Sequence, residues 1–420
     1  MLKNLKMVFN FIPLPQPLST GEGRKVFCKR GSLACGEGGG RGMMLLIFLL
    51  LTGCGGGSGF HGSYGDSDWP LFRGDPSMSG YTDVRLPKNP VLLWTFNSNA
   101  RTSSSPVITN GITYWCDKRG RILGVDSNGV QVFNYDFQTA VEATPMIHDS
   151  VLYIGRIDGV MSAVSLLQKD TLWNYETMGQ LNASANFANF EGRQAVVFGS
   201  YDNYLYCLDS RTGEEINRFE SGYYINGAVA LWKNFVIFGG CDAWLRIIDC
   251  QTGIATDSLL LDNYIPASPA IMGDFCYMGD YSGNIYECQL EKGKIVHQQK
   301  IVEAGDDGGF VSVPAVSPDN LYYLTYDRHL CSINRKDRSV RWKYLLKGNA
   351  GESSPVICKD KIIVCTKTGI VSILDASAGT LEWEYDTGEQ IVASPAVIKD
   401  RFLILTAKGT LFCFGENNTK

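Results

Sequence analysis

Histidines are the first residues to examine for catalysis or metal binding in this 420-residue chain. The chain has only four, they lie far apart, and they form neither an HExxH pattern nor a paired spacing: His61, His148, His297 and His329. A zinc site needs several ligands that converge, and a Ser/His/Asp triad needs a histidine beside its nucleophile. The sequence therefore gives no support for a zinc enzyme or a hydrolase.

An acidic, glycine-rich stretch at residues 306–310 is a second candidate site. Its carboxylates could bind Ca²⁺, but a calcium loop needs more oxygen ligands in a fixed order. Loops on a rigid scaffold often carry recognition. We therefore predict partner contacts at Asp306, Asp307 and Phe310, with a solvated loop as the alternative.

Aromatic residues are concentrated in the third to fifth copies of an internal repeat described below. We predict that most of them pack between repeat units and that the others form a patch for an extended peptide, because Tyr and Trp are frequent at interface hot spots. The residues are Tyr201, Tyr204, Tyr223, Tyr224, Trp232, Trp244, Tyr264 and Tyr281.

The cysteines of the body lie in apolar stretches without CxxC spacing, which predicts buried thiols and not metal ligands. Cys241 and Cys250 flank one predicted hairpin, so a disulfide between them is the alternative, decided by their Cα separation. The ten residues are Cys116, Cys207, Cys241, Cys250, Cys276, Cys288, Cys331, Cys358, Cys365 and Cys413.

Residues 1–53 have the character of an export signal. The apolar run at residues 43–51 is too short to span a bilayer and follows a basic flank. It ends in Leu51-Thr52-Gly53-Cys54, which is similar to the lipobox of bacterial lipoproteins, where the cysteine is acylated. We predict lipidation at Cys54, with a plain secretory signal or an inner-membrane stub as the alternative. The length of this region suggests a translation start assigned too far upstream.

Residues 54–68 are predicted to form a lipidated, flexible tether, because residues 55–59 are rich in glycine and serine. Gly55, and not aspartate, follows the cysteine, which by analogy with enterobacterial sorting favours the outer membrane. Residues 1–53 hold seven Lys/Arg and two Asp/Glu, so 31 of the chain's 38 basic and 41 of its 43 acidic residues remain, a formal charge of about −10. This charge disfavours nucleic acid as a partner.

A pair consisting of a small residue and a proline recurs along residues 69–420, which we predict to be one domain. The second positions of the copies are 39 to 45 residues apart, the spacing of four-stranded propeller blades. Two degenerate copies, Ala185-Asn186 and Gly227-Ala228, complete a set of eight. The sequence therefore predicts an all-β, eight-bladed propeller. The other copies are Ser105-Pro106, Thr144-Pro145, Ser268-Pro269, Val313-Pro314, Ser354-Pro355 and Ser394-Pro395.

Two further positions recur in each repeat. The third strand tends to end in aspartate with glycine three or four residues later, so we predict that the aspartate accepts N–H bonds across the turn and the glycine adopts positive φ. The fourth strand carries an aromatic residue, and Trp173, Trp342 and Trp383 are predicted to wedge between blades. The Asp/Gly pairs are Asp126/Gly129, Asp209/Gly213, Asp249/Gly253 and Asp375/Gly379.

The last copy ends near Phe414 without a fourth strand, and an orphan strand with the matching Leu-Trp pattern, residues 91–96, precedes the first copy. Pairing the two would close the ring and remove open sheet edges. We therefore predict that both termini share the eighth blade.

The repeat pattern Gly-x-(Leu/Ile)-x-x-(Leu/Ile)-Asp-x-x-x-Gly with an aromatic fourth strand resembles the pyrroloquinoline-quinone-like propeller repeats over roughly residues 69–415. The opening segment Trp69-Pro70-Leu71-Phe72-Arg73-Gly74 is similar to the lead-in of many such secreted proteins. The resemblance implies one of two kinds of protein. Quinoprotein dehydrogenases bind the quinone and Ca²⁺ through a Glu/Asn/Asp set, often with a disulfide between adjacent cysteines. Lipoprotein subunits of the outer-membrane β-barrel assembly machinery need no cofactor.

The second kind is favoured by chain length, lipobox and blade count, and by the lack of a Cys-Cys pair and of long loop insertions. We therefore expect a periplasm-facing lipoprotein scaffold of the bacterial outer membrane, without enzymatic activity or cofactor. Its partners would be envelope proteins, with a β-barrel assembly complex as one candidate. The alternatives are a small quinoprotein oxidoreductase or sensor, and a carbohydrate- or surface-binding lipoprotein.

Overall fold

The computed structural model describes residues 65–303 and 312–416, and all regular structure in these residues is β. The strands form eight antiparallel sheets of four strands, one of which gains a parallel fifth strand at its first-strand edge. The prediction of an all-β, eight-bladed propeller is confirmed.

Two strands precede the complete blades: β1 (Tyr81–Thr82) and β2 (Val91–Asn97). Blades 1 to 4 each use four consecutive strands: β3 (Val107–Thr109), β4 (Ile112–Cys116), β5 (Arg121–Val125), β6 (Gln131–Asp136); β7 (Met146–His148), β8 (Val151–Gly155), β9 (Val160–Ser165), β10 (Asp170–Glu176); β11 (Asn186–Phe190), β12 (Arg193–Gly199), β13 (Tyr204–Asp209), β14 (Glu215–Glu220); β15 (Ala230–Trp232), β16 (Phe235–Gly239), β17 (Trp244–Asp249), β18 (Ala255–Leu260).

Blades 5 to 7 are built in the same way, and blade 8 has three consecutive strands plus β2: β19 (Ala270–Met272), β20 (Phe275–Gly279), β21 (Ile285–Glu291), β22 (Lys294–Val302); β23 (Ala315–Val316), β24 (Asn320–Leu324), β25 (His329–Asn334), β26 (Val340–Leu345); β27 (Val356–Cys358), β28 (Lys361–Cys365), β29 (Ile370–Asp375), β30 (Leu381–Asp386); β31 (Ala396–Ile398), β32 (Arg401–Leu405), β33 (Thr410–Gly415).

The first strands of the blades are short, mostly buried and packed around a central channel. β3 contacts both β7 and β31, so blade 1 joins blade 2 on one side and blade 8 on the other. Because consecutive strands are antiparallel, the turns between second and third strands lie on the same face as the connections between blades. We call this the connection face and the other the opposite face.

The orphan strand closes the ring as predicted. β2 pairs antiparallel with β33, with Val91 opposite Gly415 and Asn97 opposite Thr410. The pairing covers a strand whose residues Leu411 and Phe414 are fully buried. Both ends of the propeller domain therefore contribute to blade 8.

The serine of the Ser-Pro pair has a role in the seam between blades. The backbone N–H of Ser105 donates to Thr144 Oγ1 of the next blade at 2.8 Å, and the N–H of Ser394 donates to Ser105 Oγ at 2.9 Å. The same bond joins Ser354 to Ser394 at 3.0 Å. A small hydroxyl side chain thus recurs because it accepts a buried N–H of the neighbouring blade.

The strand register corrects the position of the two degenerate copies. Asn186 pairs with Val197, just as Met146 pairs with Tyr153, so Asn186 occupies the position after the repeat pair. The prediction was one residue too late in blade 3 and one too early in blade 4. The equivalent pairs are Ser184-Ala185 and Ala228-Val229, in place of Ala185-Asn186 and Gly227-Ala228.

The tryptophans of the fourth strands join neighbouring blades, as predicted. Trp173 Nε1 donates to the carbonyl of Ser210 in blade 3 at 3.0 Å, and its ring packs on Gly213. Trp342 makes the same bond to blade 7, and Trp383 donates to the Pro90 carbonyl beside β2. The four predicted Asp residues accept backbone N–H groups, and the four glycines have φ between 67° and 80°.

A segment before β2, residues 66–82, follows the inner edge of the ring, and we call it the strap. It contacts blade 3 through the Asn186 side chain, which donates to the Pro76 carbonyl, and blade 8 through the Lys399 N–H, which donates to the Asp66 carbonyl. Elsewhere its carbonyls accept first-strand N–H groups at 2.7 to 2.9 Å, in blade order: Trp69 from Ile108, Pro70 from Ile147, Pro76 from Leu231, Ser77 from Ile271, Ser79 from Val316 and Gly80 from Ile357.

The seam between tryptophan and glycine can be tested by adding a methyl group to one glycine. Gly213 has φ +73°, and a Cβ there would lie 2.6 Å from the Trp173 ring, whereas Gly111 has φ +74° and open space around it. Gly111→Ala should cost about 1 kcal/mol for its backbone conformation, and Gly213→Ala roughly 2–4 kcal/mol because the clash adds to that cost. Denaturant unfolding measures both, and equal losses would contradict the seam.

Ring closure by β2 can be tested by truncation. Deleting residues 1–64 leaves every described contact intact, so the midpoint of thermal unfolding should not change. Deleting residues 1–97 removes the strap and β2 and exposes the apolar edge of β33. That deletion should destabilise the propeller by at least about 3 kcal/mol. An unchanged melting temperature would show that the ring closes without these residues.

Candidate protein-binding site

The site residues predicted near the chain start and in the acidic loop lie outside the described residues. This holds for Cys54 and for Asp306, Asp307 and Phe310. Their lipidation and partner contacts therefore stay predictions. The site that the structure does describe comes from the aromatic cluster.

Five of the eight aromatic residues come together on the connection face of blades 3 to 5. Tyr201 and Tyr281 begin the turns between second and third strands of blades 3 and 5. Tyr223 and Tyr224 lie in the connection from β14 to β15, and Tyr264 lies in the connection from β18 to β19. We call these five residues the tyrosine surface.

The rings of the tyrosine surface form two stacks. Tyr201 lies parallel to Tyr224 with 5.0 Å between ring centroids, and Tyr223 contacts Tyr224 at 4.4 Å. Tyr264 and Tyr281 form the second stack at 4.3 Å. Each such pair adds about 0.5–1.5 kcal/mol beyond its buried area, which holds the rings in fixed orientations.

Backbone bonds between blades fix the positions of the two stacks. The N–H of Tyr281 donates to the carbonyl of Tyr264 at 2.9 Å, and the N–H of Cys241 donates to that of Tyr224 at 2.8 Å. Ile265, next to Tyr264, donates to Gly240, next to Cys241. Cys241 therefore lies between the stacks.

The tyrosine surface is accessible and borders a groove. Tyr223, Tyr224 and Tyr281 are 39% to 48% exposed, and the neighbouring Met178 is 94% exposed. An open groove of about 420 Å³ lies beside the first stack, lined by Ile157, Asp158, Thr177, Met178, Gly179, Gln180, Tyr201 and Tyr224. Exposed aromatic and methionine side chains around an open groove are typical of surfaces that bind other proteins.

The rings of the tyrosine surface are neutral, and two carboxylates near them are paired with arginines. The Tyr201 hydroxyl donates to Asn226 Oδ1 at 2.5 Å, and removal from water raises the pKa of Tyr201 and of Tyr264, so both stay neutral at neutral pH. Asp158 at the groove is paired with Arg156 at 3.0 Å, and Asp242 is paired with Arg246. The aromatic rings therefore dominate what a partner meets.

The prediction that most of the cluster packs between blades is wrong, because of the other three aromatic residues only Trp232 contacts a neighbouring blade. Trp232 is buried in a first strand, and its Nε1 donates to Asp274. Tyr204 packs against Tyr206 under Arg218, and Trp244 begins β17. The spacing of aromatics along the chain indicates the blades concerned, but it does not separate these two groups.

The ten cysteines of the propeller are free, so the alternative of a bridge between Cys241 and Cys250 is wrong for this structure. Nine are buried as predicted, and only Cys241 is partly exposed. Burial raises the pKa of the Cys241 thiol, and the negative charge of the neighbouring Asp242 also raises it.

Comparison with known proteins identifies the family. Residues 89–223 and 230–420 match the family model described as outer membrane protein assembly factor BamB. The chain belongs to the BamB family. The strap precedes the matched region.

Individual relatives of this BamB-family chain are distant. BamB of Yersinia pestis is 23% identical over 232 residues, 52% of this chain and 58% of that protein. BamB of Legionella pneumophila is 24% identical over 147 residues, 35% and 36% of the two chains. A quinohemoprotein alcohol dehydrogenase of Comamonas testosteroni is 27% identical over 160 residues, which are 33% of this chain and 22% of that protein. The chain thus spans about a fifth to three fifths of these relatives.

Solved structures share the fold. BamB of Moraxella catarrhalis superposes with a TM-score of 0.66 at 17% identity, over 79% of this chain and 99% of that one. The quinohemoprotein alcohol dehydrogenase of Comamonas testosteroni superposes with a TM-score of 0.69 at 13% identity, over 84% of this chain and 82% of that one. Within the part of the chain that the structure describes, no helix is long and apolar enough to cross a membrane.

The likeness to pyrroloquinoline-quinone-like repeats raises the question of a quinone and Ca²⁺ site. Among residues 65–303 and 312–416, no three His, Cys, Asp or Glu side chains come together as a set that could hold a metal ion. Arg73, a charged group of the channel that could face a quinone, is fully engaged by backbone carbonyls.

The thiol between the stacks gives a direct test of this geometry. A maleimide added to native protein should label Cys241 before any other propeller cysteine, because the other nine are buried. Labelling should be slower than for a free thiol at pH 7 and accelerate as the pH rises through the raised pKa of this group, since the thiolate is the nucleophile. Peptide mass spectrometry locates the label, and rapid labelling of a first-strand cysteine such as Cys358 would contradict the fold.

Proposed function

We propose that this chain is a cell-envelope lipoprotein that acts as a non-catalytic scaffold and binds a protein of the outer-membrane β-barrel assembly complex through the tyrosine surface. Membership of the BamB family supports the role in outer-membrane assembly. The observation that carries the docking site is the pair of tyrosine stacks on one face of blades 3 to 5. Protein partners of the envelope and not nucleic acid are the expected ligands of this acidic chain.

A macromolecular partner suits this surface better than a small molecule does. The stacks extend over three blades and open onto a shallow groove, so a ligand would cover them without being enclosed. Tyrosine loses little conformational entropy on binding and offers both a ring and a hydroxyl. An extended or edge-presenting segment of a partner could thus lie along the stacks.

The start of the strap and the tyrosine surface lie on different faces of the propeller. The strap begins at Asp66, whose carbonyl accepts the N–H of Lys399 in the turn between β31 and β32. That turn lies on the opposite face, whereas the tyrosine surface lies on the connection face. Asp66 therefore lies on the face of the propeller that does not carry the tyrosines.

The docking site predicts a loss of binding when both stacks are broken. Tyr224→Ala combined with Tyr281→Ala should weaken binding to the purified assembly complex by roughly 30-fold, about 2 kcal/mol, because hot-spot aromatics dominate interfaces. Leu167→Ala combined with Ile254→Ala is the matched control, since both side chains are more than 60% exposed in turns of the opposite face. Biolayer interferometry measures both variants. Equal affinities of the two double variants would refute the site.

The anchor predicts a change of cell fraction. Cys54→Ser should move the protein from the outer-membrane to the soluble periplasmic fraction, because two or more acyl chains are needed for stable anchoring. The N-terminal mass of the native protein should show an acylated Cys54 as the first residue. A mature protein that begins elsewhere, without lipid, would contradict the anchor.

A quinoprotein oxidoreductase is the second candidate, favoured by the partial match to a quinohemoprotein alcohol dehydrogenase. Adding pyrroloquinoline quinone and Ca²⁺ to the purified protein should leave its absorbance unchanged and support no dye reduction if the scaffold proposal is correct. Stoichiometric binding with alcohol-dependent dye reduction would establish the second candidate instead. Glycan-array binding distinguishes the remaining alternative, a carbohydrate-binding lipoprotein.

A further inference from the structure

The first strands of a propeller have a backbone edge that faces the central channel. Each first strand has one neighbour inside its blade, so its other edge needs a partner for its N–H groups. In this chain carbonyls of the strap accept a first-strand backbone N–H in six of the eight blades, at donor–acceptor distances of 2.7 to 2.9 Å. In blade 3 the donor is the side-chain amide of Asn186, and in blade 8 it is the N–H of Lys399, just after the first strand. The strap makes these contacts through backbone carbonyls, much as a bound peptide does.

One side chain gives the strap specificity. Arg73 is 1% exposed, and its guanidinium donates to the carbonyls of Pro355 at 2.7 Å and Pro314 at 2.8 Å. The same group donates to the carbonyls of Met78 and Ser79 within the strap. Both prolines belong to repeat pairs, those of blades 6 and 7. The arginine therefore binds the same position of the repeat in two blades.

The strap is also shaped around this arginine. Gly80 has φ +64°, and a Cβ there would lie 2.1 Å from Arg73 Nη2, so only glycine fits. The carboxylate of Asp75 accepts the Ser77 N–H at 2.7 Å and the Ser79 hydroxyl at 2.5 Å, which folds the strap back on itself. Backbone pairing, a buried cation and a fitted glycine are the parts of a built recognition site.

Apolar anchors complete the contact. Leu71 and Met78 are fully buried in the core shared by blades 2 to 5, and Trp69 is buried in the core of blades 1, 7 and 8. Burying one such side chain contributes about 1.5–3 kcal/mol. The strap thus contacts the ring through three apolar side chains and through the charge-assisted hydrogen bonds of Arg73.

We propose that the central channel is a binding site for an extended peptide with an apolar–Arg–Gly pattern, and that this chain fills the site with its own residues 66–82. The strap is a ligand in cis, held by non-covalent contacts and not by its covalent link to β2. This inference does not depend on the tyrosine surface or on the proposed partner. The site therefore accepts the same peptide in trans once the strap is free to leave.

The link between strap and β2 makes the test possible. Lys88 and Asn89 are exposed, so a protease recognition sequence between them can be cut without removing a strap contact. In the full-length chain, cutting there should leave residues 1–88 bound to the propeller during size-exclusion chromatography at micromolar concentration. A fluorescent peptide of residues 65–83 should replace the cut fragment slowly and with one-to-one stoichiometry.

The arginine should control retention. In the cut protein Arg73→Ala should speed release of the fragment roughly 100-fold, since several charge-assisted bonds are lost and buried carbonyls remain unpaired. A labelled peptide of residues 65–83 with the same substitution should fail to replace the fragment in the channel of the cut wild-type protein. This arm tests recognition even if the full-length Arg73→Ala protein does not fold. The matched peptide control is Asp68→Ala, because Asp68 makes one exposed contact, to the N–H of Asn110.

The outcomes separate a ligand from an ordinary part of the fold. Retention of the fragment with exchange of the wild-type peptide, but not of the Arg73→Ala peptide, supports the proposal. Immediate release of the fragment from a propeller that keeps its circular dichroism spectrum overturns it. Unfolding of the ring on cutting also overturns it, because the channel would then not exist as a site without the covalent strap.

Discussion

The structure depends on satisfying the inner edges of eight sheets that meet around one axis. Every first strand brings N–H groups to the channel, where an unpaired group would cost about 1–3 kcal/mol. The strap accepts such an N–H group in six blades. In blade 3 it accepts the side-chain amide of Asn186, and in blade 8 the N–H of Lys399 beside the first strand. The last strand, β33, would leave an open edge in blade 8, and β2 covers this edge by pairing with it.

Two kinds of contact join neighbouring blades. Near the axis, a hydroxyl of one blade accepts a backbone N–H of its neighbour, as Thr144 does for Ser105. At the periphery, a tryptophan donates to the turn of the next blade and packs on its glycine, as Trp173 does on Gly213. Blades 3 to 5 have no tryptophan in their fourth strands, and other side chains join them: Asn217 Nδ2 donates to the Gly253 carbonyl and Thr256 Oγ1 donates to the Gly293 carbonyl. The tyrosine stacks lie on this part of the ring.

The repeat made most of the fold predictable. A period near 41 residues predicts the number of blades and, with the orphan strand, the shared eighth blade. The roles of the Asp, Gly and Trp positions follow as well, because equivalent residues make equivalent contacts in each blade. The two degenerate copies were misplaced by one residue because alanine, glycine and valine carry no signal of register, which the pairing of Asn186 with Val197 then fixed. The strap was not predicted, since it has no period of its own and its bonds go to residues of many different blades. The tyrosine surface was foreseen only as a cluster, because stacking between Tyr201 and Tyr224 depends on how loops of one blade meet.

The tyrosine stacks on one face of the ring suit the binding of a protein partner, and the chain belongs to the BamB family. Hydrogen exchange of the full-length protein, alone and with the purified assembly complex, tests this account most directly. It predicts slower exchange at residues 221–226 and 261–265 on adding the complex, with first strands such as β19 equally protected in both states. Slower exchange confined to the turns of the opposite face, or no change at all, would contradict it.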